Sequence, residues 1–165
     1  MAVNRERKHI LVLPEDRANR ELASGFFLDA SFSNRRTCFQ VLREVGGWNR
    51  VLDSFKSVHI VEMNQNPNRF MVLLIDFDGK ANRLDLAKAA IPDDLIDRVF
   101  VLGVWSEPEG LRSAKLGSYE TIGLALAKDC REDRNLTWDH DLLRHNASEL
   151  VRLREQVRPI LFGPN

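Results

Sequence analysis

Cysteine is scarce in this chain. Cys38 and Cys130 form no CxxC pair and no Cys/His spacing of the kind a structural zinc needs, and two residues so placed make no disulfide framework. Histidine is scarce as well. His9, His59, His140 and His145 contain neither HExxH nor HxxxH, and His140 and His145, five apart, do not share a helical face. Helix capping or packing with Trp138 is the role that spacing suits, so a zinc hydrolase finds no support. No serine sits in a GxSxG elbow and no glycine-rich loop is built to cradle phosphate, which removes the α/β-hydrolase and P-loop readings. Long hydrophobic runs are missing too. The N-terminal one, Ile10 to Leu13, is far too short for a signal peptide or a membrane span, so a cytoplasmic protein without a membrane partner is expected. Net charge is the last absence: 24 basic side chains meet 24 acidic ones, so any nucleic-acid contact must come from a local patch.

What is present is an ordinary globular composition, 44% hydrophobic and 29% charged over 165 residues, enough for one real core. No repeat, low-complexity tract or linker divides it, so one domain over 1–165 is expected, with a core over about 8–130 and a helical extension over about 131–165. "HILVLPED" (9–16) reads as a buried strand broken by proline. "RANRELASGFFLDA" has helical spacing, with Ala18, Leu22 and Ala23 on one face, and ends near Gly25. "RTCFQVLREVGGWNRVLDSF" places Cys38, Val41, Leu42 and Val45 at helical intervals, a helix stopped by Gly46-Gly47. "SVHIVEM" reads as a second strand, "NQNPN" as a turn, and "RFMVLLIDFDG" as a third strand apolar enough to be covered on both faces. "LDLAKAAI" is helical up to Pro92, "DRVFVLGVW" is a fourth strand, and "SYETIGLALAKDC" is a helix capped by Ser118. Cys130, at the end of that apolar helix, is expected to pack. "WDHDLLRHNASELVRLREQVRPILF" gives one or two closing helices, in which the arginines 144, 152, 154 and 158 alternate with acids as on a solvated face. The sum is an α/β protein: a three-layer, mostly parallel four-stranded sheet with C-terminal helices.

In such sheets ligands bind beyond the carboxyl ends of the strands. Strand one ends in Pro14-Glu15-Asp16, strand three in Asp76-Phe77-Asp78-Gly79, and strand four in Trp105-Ser106-Glu107-Pro108-Glu109. Side-chain alternation puts Asp76 and Asp78 on one face. Like charges that close repel unless a cation neutralises them, and oxygen donors in that number suit Mg²⁺ or Mn²⁺. Each piece has a plainer reading: Asp and Gly form turns after any strand, Pro-Glu-Asp starts helices, and Glu107 and Glu109 suit a solvated loop. The conjunction of an acid after strand one and Asp-x-Asp after strand three is what points to a metal site. Lys80 and Arg83 follow the pair closely enough to hold a phosphate or offset developing charge, and Lys115 lies in the loop after strand four. Other basic clusters are "RERK" (5–8) and "NRR" (34–36).

These residues resemble the TOPRIM domain of topoisomerases, primases, recombination mediators and OLD-type nucleases, in which a hydrophobic strand ends in Glu and a later one in Asp-x-Asp. "HILVLPEDRAN" supplies Glu15 and "FMVLLIDFDG" supplies Asp76, Asp78 and Gly79, over roughly residues 8–110. The resemblance implies Mg²⁺ (or Mn²⁺) held by Glu15, Asp76 and Asp78, with Glu107 where a further acidic ligand would fall. Glu15, Asp76, Asp78 and Lys80 would be the catalytic set. It implies nuclease-like phosphodiester chemistry on DNA or RNA, with a separate ATPase as partner in phage defence. Two positions depart from that pattern: Asp16 follows Glu15 where glycine is usual, and Asn19 stands where a second acid is common. The single tyrosine, Tyr119, falls at a helix start and is not placed for strand transfer. An alternative is a non-catalytic protein-interaction module with a degenerate acidic site. A third reading, a haloacid-dehalogenase-like phosphatase, rests on "DFDGK", with Lys80 where that family has Thr and the motif far from the first strand.

Overall fold

Alternation along the strands sorts the core into two layers. Ile10 and Val12 face one side of the sheet and Leu11 and Leu13 the other, all buried, and the same alternation repeats through Phe70 to Leu73 and Val99 to Leu102. A sheet apolar on both faces must be covered on both. The protein is seen in a computed structural model that describes residues 2–29 and 36–163, with Arg36 described by its backbone alone. The basic "NRR" cluster therefore lies outside the described residues as far as its side chains are concerned.

Strands β1 (His9–Pro14), β2 (Phe39–Val41), β3 (Arg69–Leu74) and β4 (Val99–Leu102) form one parallel sheet in the order β2-β1-β3-β4. The register pairs Ile10 with Phe39, His9 through Pro14 with Arg69 through Leu74, and Met71 with Val99. Helices α1 (Arg17–Phe26), α6 (Tyr119–Glu132) and α7 (Ala147–Phe162) cover the Ile10/Val12 face. Helices α2 (Trp48–Ser54), α3 (Ile60–Gln65) and α4 (Arg83–Ala89) cover the other, and α5 (Glu109–Ser113) is a short turn after β4. The chain steps from β1 to β2 in one direction and from β3 to β4 in the opposite one. Right-handed crossovers then place α1 and α4 on opposite faces, and the crevice where they part lies between the carboxyl ends of β1 and β3. Packing on the α1 face is close: a Cβ on Gly123 would stand 2.0 Å from the Leu22 carbonyl oxygen, so α1 and α6 meet backbone to backbone.

Strands one, three and four, helix α1, and the Ser118-capped α6 follow the expectation, with Ser118 accepting from the Thr121 N–H (3.2 Å) and Cys130 packed in the core. Three segments do not. The helix expected through Cys38, Val41, Leu42 and Val45 is a 3-10 turn over Arg36–Cys38 leading into β2, because Phe39 to Val41 satisfy their backbone groups on the open edge of β1. Gly46-Gly47 precede a helix instead of stopping one. The strand expected over "SVHIVEM" is helical: a π-helical turn, Phe55–His59, joins α2 to α3. Val51, Phe55, His59 and Met63 are buried at helical intervals while Val58 and Val61 are exposed, a period that wins once the window reaches back to Trp48. The arginines of the last helix are partly buried anchors: Arg154 donates to the Arg134 carbonyl (2.6 Å) and Arg158 to that of Arg131 (2.8 Å).

Candidate functional site

The crevice at the carboxyl ends of β1 and β3 holds the acids. β1 leaves the ladder after Pro14, and the Glu15 N–H still donates to the Leu74 carbonyl (2.9 Å). Asp16 then caps α1, accepting from the Asn19 N–H (2.9 Å). This cap fixes the first turn of α1 so that Asn19, fully buried, points at β3. Asn19 Nδ2 donates to Asp76 Oδ1 (2.9 Å), and the Glu15 carboxylate accepts the Asp76 N–H (2.6 Å). Asn19 Oδ1 is buried without a partner. On the far side, Ile75, Phe77 and Gly79 donate to the carbonyls of Leu102, Val104 and Trp105, so the Asp-x-Asp stretch is held between β1 and β4.

Asp76 and Asp78 part company here. The expectation that both share a strand face does not hold, because β3 ends at Leu74 and Asp78 adopts a left-handed conformation (φ 49°). Asp76 is 7% exposed and Asp78 turns outward. The Asp78 carboxylate is bound by Arg83, whose Nη1 donates to Asp78 Oδ2 (2.5 Å) and to the Asp76 carbonyl (2.9 Å). The Arg83 guanidinium also lies over the Trp48 ring, 4.3 Å from its centroid.

The electrostatics follow from burial. Burial pushes the Asp76 carboxyl up to about 7, against the pull of the Asn19 hydrogen bond, and Glu15, Asp16 and Asp78 push it the same way. Burial also holds Glu15 above its ordinary range, opposed by the Asp76 N–H and by Arg83. Four carboxylates thus act on one another beside one guanidinium.

Of the expected residues, the structure brings together Glu15, Asp76 and Asp78. Lys80 is exposed in the turn, and its N–H donates to the Phe77 carbonyl (2.9 Å); Arg83, at the start of α4, is the cation that reaches Asp78. Glu107 is exposed on the loop after β4 and is not among the charges acting on Asp76. His145, for which capping or packing with Trp138 is the expectation, packs its ring edge-on to Phe77 (4.7 Å) and beside Trp105 (5.3 Å), bracing the loop between the two aspartates. The participation of Asn19 has a faint sequence signal, its place one turn after Glu15. The cap that aims it has none beyond Asp16 itself.

The donors present fit a hard divalent cation in type: carboxylate oxygens in excess of nearby positive charge, and a buried amide oxygen with no partner. Among the described residues no three His, Cys, Asp or Glu side chains already stand as a group that could hold a metal ion, since Glu15 is tied to the Asp76 N–H and Asp78 to Arg83. Comparison of the chain with known protein families, with curated proteins and with solved structures finds no match.

Proposed function

We propose that the protein carries out Mg²⁺- or Mn²⁺-dependent phosphodiester hydrolysis on nucleic acid at the β1/β3 crevice. The observation that supports this reading is Asp76: a carboxyl buried among three other acids, beside the unpartnered Asn19 Oδ1, at the crevice where open parallel sheets bind ligands. A buried carboxylate so crowded is stabilised by a proton or by a cation, and its raised affinity for the one is also an electrostatic pull on the other.

Asp76 and Asn19 would hold the ion, with Asp78 joining when free of Arg83. The cation would polarise a phosphoryl oxygen and acidify a bound water. Glu15, pushed above the usual carboxylate range, is suited to hold or pass a proton near neutral pH. With no net charge on the chain, a partner that supplies basic surface suits the reading, and a separate ATPase is the partner the TOPRIM resemblance suggests.

A second reading, a non-catalytic interaction module, has one observation on its side: Glu15 and Asp78 already have partners inside the fold. The test is Mn²⁺ titration by calorimetry together with plasmid and RNA cleavage, on wild type and on Asp76→Asn. Binding and cleavage that both disappear in the variant support the hydrolase. A folded wild type that binds no Mn²⁺ leaves the interaction module.

A further inference from the structure

We propose that Arg83 is a resident counter-cation of the crevice: it holds Asp78 closed, and a divalent ion must displace it to be chelated by Asp76 and Asp78 together. The inference rests on the metal-dependent reading above and concerns how that site is kept shut in its absence.

Three observations carry it. Arg83 spends one nitrogen, Nη1, on two acceptors at once, Asp78 Oδ2 and the backbone carbonyl of Asp76, so it occupies the Asp78 carboxylate while the Asp76 carboxylate stays with Asn19. Its side chain is 4% exposed while that of Asp78 is 45% exposed, so the pair is shielded from solvent on the arginine side and open on the side from which an ion would reach Asp78. Its guanidinium already rests on the Trp48 face while it binds Asp78, a contact that does not depend on Asp78 and can persist when Asp78 is released. The alternative reserved for an arginine here, a structural staple, predicts a different outcome: removing a staple loosens the Asp-x-Asp turn and weakens any ion that depends on it, whereas removing a competitor tightens binding. Removal of a unit positive charge in close range of a dication is worth about tenfold in affinity even with near-aqueous screening.

The experiment is Mn²⁺ calorimetry on wild type, Arg83→Met, which keeps the stem on Trp48, and Asp76→Asn. Arg83→Met is expected to bind at least about tenfold more tightly than wild type, and Asp76→Asn to lose binding. Wild type that binds through Asp76 while Arg83→Met binds equally or more weakly overturns the inference and leaves the metal reading standing. Absence of binding in both wild type and Arg83→Met overturns both. Should Arg83→Met not fold, the wild type itself decides through its fluorescence. Saturating Mg²⁺ is expected to change the emission in wild type and not in Trp48→Phe, because the guanidinium over Trp48 is released from Asp78; Mg²⁺ binding with no Trp48-dependent change overturns the displacement.

Discussion

The Glu15 carboxylate accepts the backbone N–H of Asp76 at 2.6 Å. At that level β1 has already turned toward α1, so a side chain takes the place of the next ladder carbonyl and carries the β1–β3 seam one residue beyond the sheet. The acid to which the proposed chemistry gives a proton is therefore also a structural acceptor. Fold and site share an atom, and substitutions at Glu15 separate the two roles by what they leave behind.

Glu15→Ala leaves the Asp76 N–H buried without an acceptor, at an expected cost of about 1–3 kcal/mol. Glu15→Gln keeps an acceptor oxygen and removes one charge that acts on Asp76, so stability at pH 8 is expected to stay at or slightly above wild type. Urea unfolding of the two variants measures the difference. Equal losses in both would show that the charge, and not the acceptor, is what the fold uses.

Asp76 makes stability fall as pH rises. Its folded value of about 7 lies above the ordinary 3.8, so the folded state holds the proton more tightly than the unfolded chain does. The contribution is complete below pH 3.8 and is lost as pH climbs through about 7, with a ceiling on the order of 4 kcal/mol at 1.36 kcal/mol per pH unit. Asp76→Asn is expected to flatten the profile over that window and to be more stable than wild type at pH 8. A series of urea midpoints from pH 4 to 8 reads it directly.

His9 imposes the opposite slope. Its Nδ1 donates to the Arg7 carbonyl (2.8 Å), which leaves Nε2 as the lone pair that accepts from Arg69 Nε (3.1 Å), while Arg69 Nη1 is paired with Glu62 (2.6 Å). The bond from Arg69 requires Nε2 unprotonated, and a proton there would face the guanidinium, whereas the bond to the Arg7 carbonyl survives protonation and opposes the shift. Burial lowers the His9 value below 6.5, as it does for His59 and His145. The sign is that of a depressed base: stability is present above pH 6.5 and is lost as pH falls through the folded value. His9→Gln is expected to be less stable at pH 8, by about 1 kcal/mol for a fitted hydrogen bond, and to show a shallower loss below pH 6.5. An unchanged acid slope would exclude His9 as its source.

Much of this arrangement was legible in the sequence, for physical reasons that differ by element. β1, β3 and β4 are continuously apolar because both faces are covered, and that signal needs no context. β2 is three residues long and exists because β1 offers it an edge; nothing local to Phe39–Val41 marks it. The 57–63 segment misleads because Val58, Ile60 and Val61 are β-branched and its helical period appears only over a longer window. The acids are visible as Glu15 and Asp-x-Asp, while which side chain binds which is not. The Asn19–Asp76 bond spans 57 residues, and Lys80 sits nearer in sequence to Asp78 than Arg83 does yet faces solvent. Proximity along the chain does not distinguish the two cations singled out after the pair; the turn and the start of α4 bring Arg83, and not Lys80, against Asp78.

Gly103 tests how closely β3 and β4 must approach below the site. A Cβ there would stand 1.6 Å from the Ile75 carbonyl oxygen, a clash with backbone that no rotamer relieves. Gly103→Ala is expected to cost at least about 1–3 kcal/mol, as overpacking does. Because Ile75 adjoins Asp76, the shift should also weaken Mn²⁺ binding. Thermal melting and calorimetry on the same sample check both.

The outer edge of β4 is guarded by one face of the α7 region. Asn146 accepts the Gly103 N–H (3.0 Å) and donates to the Gly103 carbonyl (2.9 Å), the Glu149 carboxylate accepts the Val101 N–H (3.0 Å), and Arg152 donates to the carbonyls of Ile96, ahead of the strand, and of Val99 within it (3.5 Å). Three side chains at helical spacing thus occupy ladder groups that would otherwise be open to another strand. Glu149 is the centre of this guard: 1% exposed, it also binds Lys88 (2.8 Å) and Arg152 (2.9 Å). Glu149→Ala strands two cations and the Val101 N–H, with an expected loss of about 3–5 kcal/mol. Glu149→Gln keeps the acceptor and is expected to lose less. If the guard also prevents edge pairing, Glu149→Ala should scatter light in a concentration-dependent way at temperatures where its circular dichroism is still native, while Glu149→Gln stays monodisperse. Aggregation that begins only with unfolding would assign Glu149 to stability alone.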